Sequence, residues 1–171
     1  AMEETAALQA KTVGIVGLSV GSTAAICLAM ERGCGRLKLA DFDVIELSNL
    51  NRIRCGLHEL ELPKWVVTAR HIAEFDPFMT LEIFEDGIHA ENVSSFVDGC
   101  DVVIDACDSL AIKAQLRITA KAQSCPVVMD TNDRGMLDIE RYDRSDWTAN
   151  GYLHGRIDEA SMQAFSQAPS W

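Results

Sequence analysis

Three groups of residues in this sequence carry side chains suited to chemistry. The first is Gly17-Leu18-Ser19-Val20-Gly21. Its G-x-S-x-G spacing is that of a hydrolase elbow, in which the serine attacks a carbonyl. The same residues follow an apolar run and precede a helical one, which is the setting of a phosphate-holding loop. The second group comprises Asp41 and Asp43, then Ser48-Asn49-Leu50-Asn51-Arg52, then Pro63-Lys64. A carboxylate such as Asp41 suits the two hydroxyls of a ribose. A nucleoside triphosphate carries about four negative charges, so cations must converge on it. Arg52 offers a forked donor, Lys64 a mobile point charge, and the Asn49 amide a donor to a phosphate oxygen. The third is Asp108, just past the apolar run ending at Cys107, where a carboxylate can take Mg²⁺ directly or through water. Plainer readings stand beside these. Arg52 and Lys64 also fit ordinary surface charge, and Asp108 fits a helix cap, although Ser109 could cap equally well. Asp43 has no clear role, and Arg54 is a weaker phosphate candidate.

The elements around these groups decide between elbow and phosphate loop. Residues 3–10 read as a helix, 11–17 as a buried strand, and 22–33 as a helix stopping at Gly33. A strand follows over 36–41. Residues 42–62 form a long irregular connection, a length often functional in compact domains. A helix opens at Pro63 and runs to 75. Strands are expected at 80–86, 101–107 and 126–131, with one more at 135–143, and helices near 90–98 and at 109–124. Strands alternating with helices predict an α/β fold: a doubly wound, mainly parallel, Rossmann-like sheet with helices on both faces. The continuous apolar stretches VGIV, VVI and VVM fit strands buried on both sides. A hydrolase elbow comes late in its sheet, because an upstream strand supplies an oxyanion donor. Here one helix and one strand precede Gly17, and the only late triad histidine is His154, in a poorly periodic tail. The loop therefore reads as a phosphate site made by Gly17, Ser19, Gly21 and Ser22 at a helix N-terminus.

The chain's 171 residues, 48% hydrophobic, suit one domain with a full core. It begins with Ala, as an appended start or a piece of a longer protein would. A net charge of −11 argues against a nucleic-acid surface. No apolar run reaches the roughly 18 residues of a membrane span. The six cysteines form no C-x-x-C pair, so no zinc is expected; buried free thiols in a reducing cytoplasm are. The expected division is a nucleotide-binding domain over 1–143, with 144–171 a linker or the opening of a further segment.

The segment LADFDVIELSNLNR, residues 39–52, resembles the adenylyltransferase superfamily of the ThiF and MoeB enzymes and the ubiquitin-activating enzymes. The family pattern is Asp-x-Asp after strand two, Ser-Asn-Leu-x-Arg, a Pro-Lys helix start, and a later Asp after strand four. All four occur here in order, and the resemblance runs from about residue 5 to about residue 140. It implies a ThiF-type fold that binds ATP and Mg²⁺. It also implies adenylation of a carboxylate, here the C-terminus of a ubiquitin-like carrier protein. Arg52, Lys64 and Asp108 would act on the phosphates and metal, and Asp41 and Asn49 would hold the nucleotide. A homodimer and a fused enzyme domain are further expectations. Three features depart from the family. Ser19 and Ser22 stand where its G-x-G-x-x-G loop has glycine, the paired cysteines of its zinc site are absent, and no Arg precedes Arg32. These departures keep a second reading open: a non-catalytic module for ATP, NAD or FAD within a larger enzyme.

Overall fold

The computed structural model describes residues 2–130, 135–148 and 151–168. After helix α1 (Met2–Gln9) comes strand β1 (Thr12–Val16), whose last four residues are buried. Helix α2 (Gly21–Glu31), strand β2 (Arg36–Ala40), helix α3 (Lys64–Phe75) and strand β3 (Thr80–Phe84) follow. Then come helix α4 (Val93–Val97), strand β4 (Val102–Asp105), helix α5 (Leu110–Ala122), strand β5 (Val127–Asp130) and strand β6 (Leu137–Glu140). Two helices, α6 (Ser145–Thr148) and α7 (Glu159–Ser166), close the described chain.

The strands form one sheet in the order β3-β2-β1-β4-β5-β6. The first five are parallel, and β6 runs antiparallel to β5. Alternate residues of β1 enter different cores, as a pleated strand requires. Val13 and Ile15 pack with Leu37, Leu39, Ala25 and Ile72, while Val16 packs with Ala40, Phe96, Val103 and Leu116. Helices α2 and α3 therefore cover one face, and α4, α5 and α7 the other. Strand order reverses between β1 and β4, and in such sheets the crevice outside the carboxyl ends at that reversal is where ligands sit.

Four expectations need correction. Helix α2 ends at Glu31, two residues before Gly33: Arg32 caps it in the left-handed conformation (φ 52°), and its N–H reaches the carbonyls of Leu28 and Ala29. Cys27 is exposed rather than buried, and Cys107 is half-buried. The strand expected at 135–143 is shorter and pairs antiparallel. Its polarity is also inverted, because Asp138 and Glu140 point inward while Leu137 and Ile139 point outward. Finally, part of the stretch expected as a linker or the opening of a further segment packs back on the domain. Helix α7 lies against α5, placing Met162 in the core, and its N-terminus is capped by Asp158, which accepts from Ser161 N–H at 2.7 Å. Thr131, the last residue of the expected fifth strand, lies outside the described residues. Among those described, no helix is long and apolar enough to cross a membrane.

Candidate nucleotide site

The carboxyl ends of β1, β2 and β4 meet at the reversal of strand order, and Gly17 is what allows them to. Its φ is +86°, and a Cβ there would lie 2.5 Å from the Ala106 carbonyl oxygen. Only glycine combines that backbone with that approach. On the same turn, Gly17 N–H donates to Ala40 O at 2.9 Å and Ala106 N–H donates to Val16 O at 2.8 Å. Gly21 opens α2 with Ile15 and Ala106 beside it. The buried Ser22 donates to Ser19 O at 3.0 Å, closing the turn. No side chain caps α2; Thr23 N–H donates to Val20 O at 3.1 Å, which leaves the amides of Gly21 and Ser22 to face an anion.

Above these loops lies a cavity of about 570 Å³, whose walls include Gly17, Ser19, Asp41, Lys64 and Asp108. That volume is within the ordinary range for small-molecule sites. Gly21 and Ser22 shape the loop from behind. Phe42, Ile88, Ala106, Cys107 and Ile112 also line the space.

Asp41 Oδ2 accepts from Leu18 N–H at 2.6 Å, and Oδ1 accepts from Asp43 N–H at 2.8 Å. Each oxygen keeps a second lone pair for a ligand. Burial pushes the Asp41 carboxyl above the usual range, against the pull of those two amides and of the Lys64 charge. Lys64 arrives by way of the long connection, whose ends meet. Ile45 N–H donates to Leu62 O at 2.8 Å, and Lys64 N–H donates to Asp43 O at 2.9 Å. The buried Lys64 ammonium also donates to Asp43 Oδ2 at 2.7 Å. Asp43, without a role in the sequence, is thus the partner that holds Lys64.

Asp108 is exposed, and among the described residues its carboxylate has no hydrogen bond or ion pair. The following helix is capped by Ser109 instead, whose Oγ accepts from Ile112 N–H at 3.4 Å. Asp108 is therefore free to face a ligand. Burial and the Asp105 charge push the thiol of Cys107 beside it well up, which disfavours its thiolate.

Four expected residues do not line the cavity: Gly21, Ser22, Asn49 and Arg52. Asn49 is buried in its own loop, where Oδ1 accepts from Glu46 N–H at 2.9 Å. The exposed Arg52 folds back to donate to Ser48 O at 3.2 Å and Asn51 Oδ1 at 3.0 Å. Sequence reading also missed a buried ionic set beneath Asp108, formed by Asp105, Lys113, Arg117 and Glu140. Arg117 Nη1 donates to Asp105 at 2.6 Å and Nε donates to Glu140 at 2.6 Å. The only local hint was an arginine on the apolar stripe of α5.

This arrangement is a doubly wound sheet with a ligand-sized cavity at the reversal of its strand order. Residues 1–131 match the ThiF family, and the chain belongs to it. It is 52% identical to an uncharacterized protein of Mycobacterium tuberculosis over 141 residues, 82% of this chain and 20% of that one. It is 31% identical over 121 residues to the sulfur carrier protein ThiS adenylyltransferase of Escherichia coli, covering 70% of this chain and 47% of that enzyme. Among solved structures, E. coli tRNA N6-threonylcarbamoyladenosine dehydratase in complex with ATP superposes with a TM-score of 0.68 at 32% identity. That match covers 74% of this chain and 54% of the other. The chain thus spans about half the length of these two enzymes and a fifth of the mycobacterial relative.

Proposed function

We propose that this chain binds Mg·ATP and supports adenylation of a carboxylate, the C-terminal carboxylate of a ubiquitin-like carrier protein. The observation that carries the reading is the convergence of Gly17, Ser19, Asp41, Lys64 and Asp108 on one cavity at the strand-order reversal. The adenylyltransferase name of one relative and the ATP complex of another support it. A carboxylate oxygen attacks the α-phosphorus, the bond to pyrophosphate breaks, and pyrophosphate leaves. No general base is required, because the nucleophile is already an anion. Asp41 takes the ribose hydroxyls. Lys64, exchanging Asp43 for phosphate oxygens, neutralises charge that builds in the transition state. Among the described residues no three ligands converge on a metal position. Magnesium held with nucleotide phosphates uses one or two protein carboxylates, so unpaired Asp108 fits that role. The metal would supply charge neutralisation on the phosphates.

Arg52 joins the phosphates only if its side chain leaves Ser48 and Asn51. That observation, with Lys64 held by Asp43, favours a second reading, a nucleotide-binding module without catalysis. The proposal places nucleotide binding in residues 1–143. It also includes a cytoplasmic setting, a homodimer, and a carrier-binding or fused enzyme segment elsewhere in the protein. The test is exchange of labelled pyrophosphate into ATP by the full-length protein with a panel of ubiquitin-like carriers, alongside calorimetric titration of Mg·ATP and NAD. Carrier-dependent exchange is expected, with its loss in Asp108→Ala. Tight Mg·ATP binding without exchange establishes the module instead, and tighter binding of NAD sinks both ATP readings.

A further inference from the structure

We propose that Arg117 is a positioning residue for the nucleotide site, acting through Asp105 on the loop that carries Asp108. The inference rests on the Mg·ATP reading above.

The geometry runs in one line. Asp105 is the last residue of β4, and its side chain is fully buried. Its Oδ2 accepts from Arg117 Nη1 at 2.6 Å, and its Oδ1 accepts from Lys113 Nζ at 3.1 Å. The same Oδ1 accepts from Cys107 N–H at 3.3 Å and faces the Cys107 thiol at 3.2 Å. The backbone just before Asp108 is therefore held from two sides, by Val16 O on Ala106 N–H and by Asp105 on Cys107 N–H. Rotating Asp105 releases one of those holds. Among the described residues only α5 supplies cations to it, from Lys113 and from Arg117 one turn further along.

Arg117 cannot itself rotate, because its other edge is fixed. Nε donates to Glu140 Oε2 at 2.6 Å, Nη1 also donates to Lys113 O at 3.2 Å, and Nη2 contacts the Met129 sulfur at 3.3 Å. Glu140 is pinned in turn, since Oε1 accepts from Leu153 N–H at 2.8 Å and from the Tyr142 hydroxyl. Leu153 and His154 both occupy the left-handed region, with φ of 49° and 57°, an uncommon state for a leucine. Asp138 holds the second of them through His154 Nε2 at 3.0 Å. Both inward acids of β6 thus grip one turn, and one of them is joined through Arg117 to the floor of the nucleotide cavity.

Stability alone does not account for this set. Two acids and two bases balance in charge, yet burying such ions gives little or no net gain over apolar residues of similar size. What the guanidinium adds is direction: a planar fork that fixes two carboxylates in one plane, which an ammonium cannot do. An apolar residue at 117 would fill the space without orienting Asp105.

The test is calorimetric titration of ATP, with and without Mg²⁺, into the wild type and the Arg117→Lys, Arg117→Met and Glu140→Gln variants, each checked for folding by thermal melting. Glu140→Gln keeps the shape and one of the two acceptor oxygens, so it serves if Arg117→Met does not fold. Because Asp108 would hold the metal, loss of its positioning should weaken Mg·ATP by about tenfold or more, in the range seen for residues supporting a metal ligand. Binding of metal-free ATP should change less than about twofold, and Arg117→Lys should fall between wild type and Arg117→Met. Equal losses with and without Mg²⁺ would mean a merely structural residue and overturn the proposal, as would unchanged binding in folded variants. If wild type binds ATP under neither condition, the nucleotide reading falls, and this role falls with it.

Discussion

Asp41 and Asp105 stand on opposite sides of β1, at the carboxyl ends of β2 and β4, and both are buried. Their surroundings differ in one respect. Asp41 is held by two backbone amides, with the nearest cation, Lys64, engaged elsewhere. Asp105 is held by two cations in direct contact. Burial raises the Asp41 carboxyl above its ordinary range, while at Asp105 the charges of Arg117 and Lys113 outweigh burial and hold the carboxyl below it. An anion left partly uncompensated in a cavity wall lowers the stability of the fold and is available to a ligand. An anion compensated on both oxygens serves the framework. Two aspartates of similar position are thus set apart by what surrounds them, one open to a ligand and the other held by cations.

The largest effect expected from that division is in stability. Arg117→Met strands two buried carboxylates and should destabilise by about 3–5 kcal/mol. For a chain of this size that lowers the melting temperature on the order of 10 °C. A loss under about 1 kcal/mol in urea unfolding would place Asp105 with the exposed pairs and break the comparison.

Next in size is ligand binding. Asp41→Asn and Lys64→Met should each weaken Mg·ATP by about 10- to 100-fold, the worth of one charged hydrogen bond of about 1.5–3 kcal/mol. Asp41→Asn should meanwhile leave unfolding within about 1 kcal/mol, because losing one amide contact is offset by removing an unfavourable buried charge. Unaltered affinity in isothermal titration would show that Asp41 only shapes the loop.

The two acids should also respond to pH with opposite sign. Asp105 has a lowered folded pKa, so its contribution is complete above the ordinary value of about 3.9 and is lost as pH falls through the lowered one. Asp41 has a raised folded pKa, so its ionisation weakens the fold as pH rises from about 3.9 through the raised value. Each slope is limited to about 1.4 kcal/mol per pH unit. Urea midpoints across the acid range should show a flatter low-pH limb in Asp105→Asn and a smaller decline above about pH 4 in Asp41→Asn. Matching profiles for the two variants would contradict the assignment.

The smallest effect belongs to Asp43, whose side chain is 52% exposed opposite Lys64. Asp43→Asn should change stability by less than about 1 kcal/mol. It should leave Mg·ATP binding unchanged or tighter, since it frees Lys64. Weaker binding would mean that Asp43 aims Lys64 at the ligand.

The sheet was readable from the sequence because its strands are short apolar runs separated by amphipathic helices, and both patterns are local. That Gly17, Asp41, Lys64 and Asp108 meet around one cavity was readable for a similar reason, since each follows a strand or opens a helix on the expected side of the sheet. Asn49 and Arg52 were assigned outward roles because their types suit phosphate. What the sequence does not display is that a 3₁₀ turn at Leu47–Asn51 uses both side chains itself. The partnership of Asp43 with Lys64, and that of Arg117 with Asp105 and Glu140, join residues 12 to 23 positions apart across different elements. No periodicity encodes such pairs. The inward acids of β6 were hidden for the opposite reason: their alternation is regular, but its phase is reversed, and only Arg117 and the turn at Leu153 reveal why.

That reversed phase has a colloidal consequence. β6 ends the described sheet, so one side of its backbone lacks a neighbouring strand, and its outward row is Leu137 and Ile139, 57% and 40% exposed. An edge of that composition accepts any extended chain that comes near, including another copy. What opposes such encounters is mutual repulsion between molecules of net charge −11. Salt shortens the reach of that repulsion to about 8 Å at physiological ionic strength and about 3 Å at 1 M. Light scattering by the isolated chain should therefore grow with added sodium chloride, and a lysine substituted at Ile139 should suppress the growth.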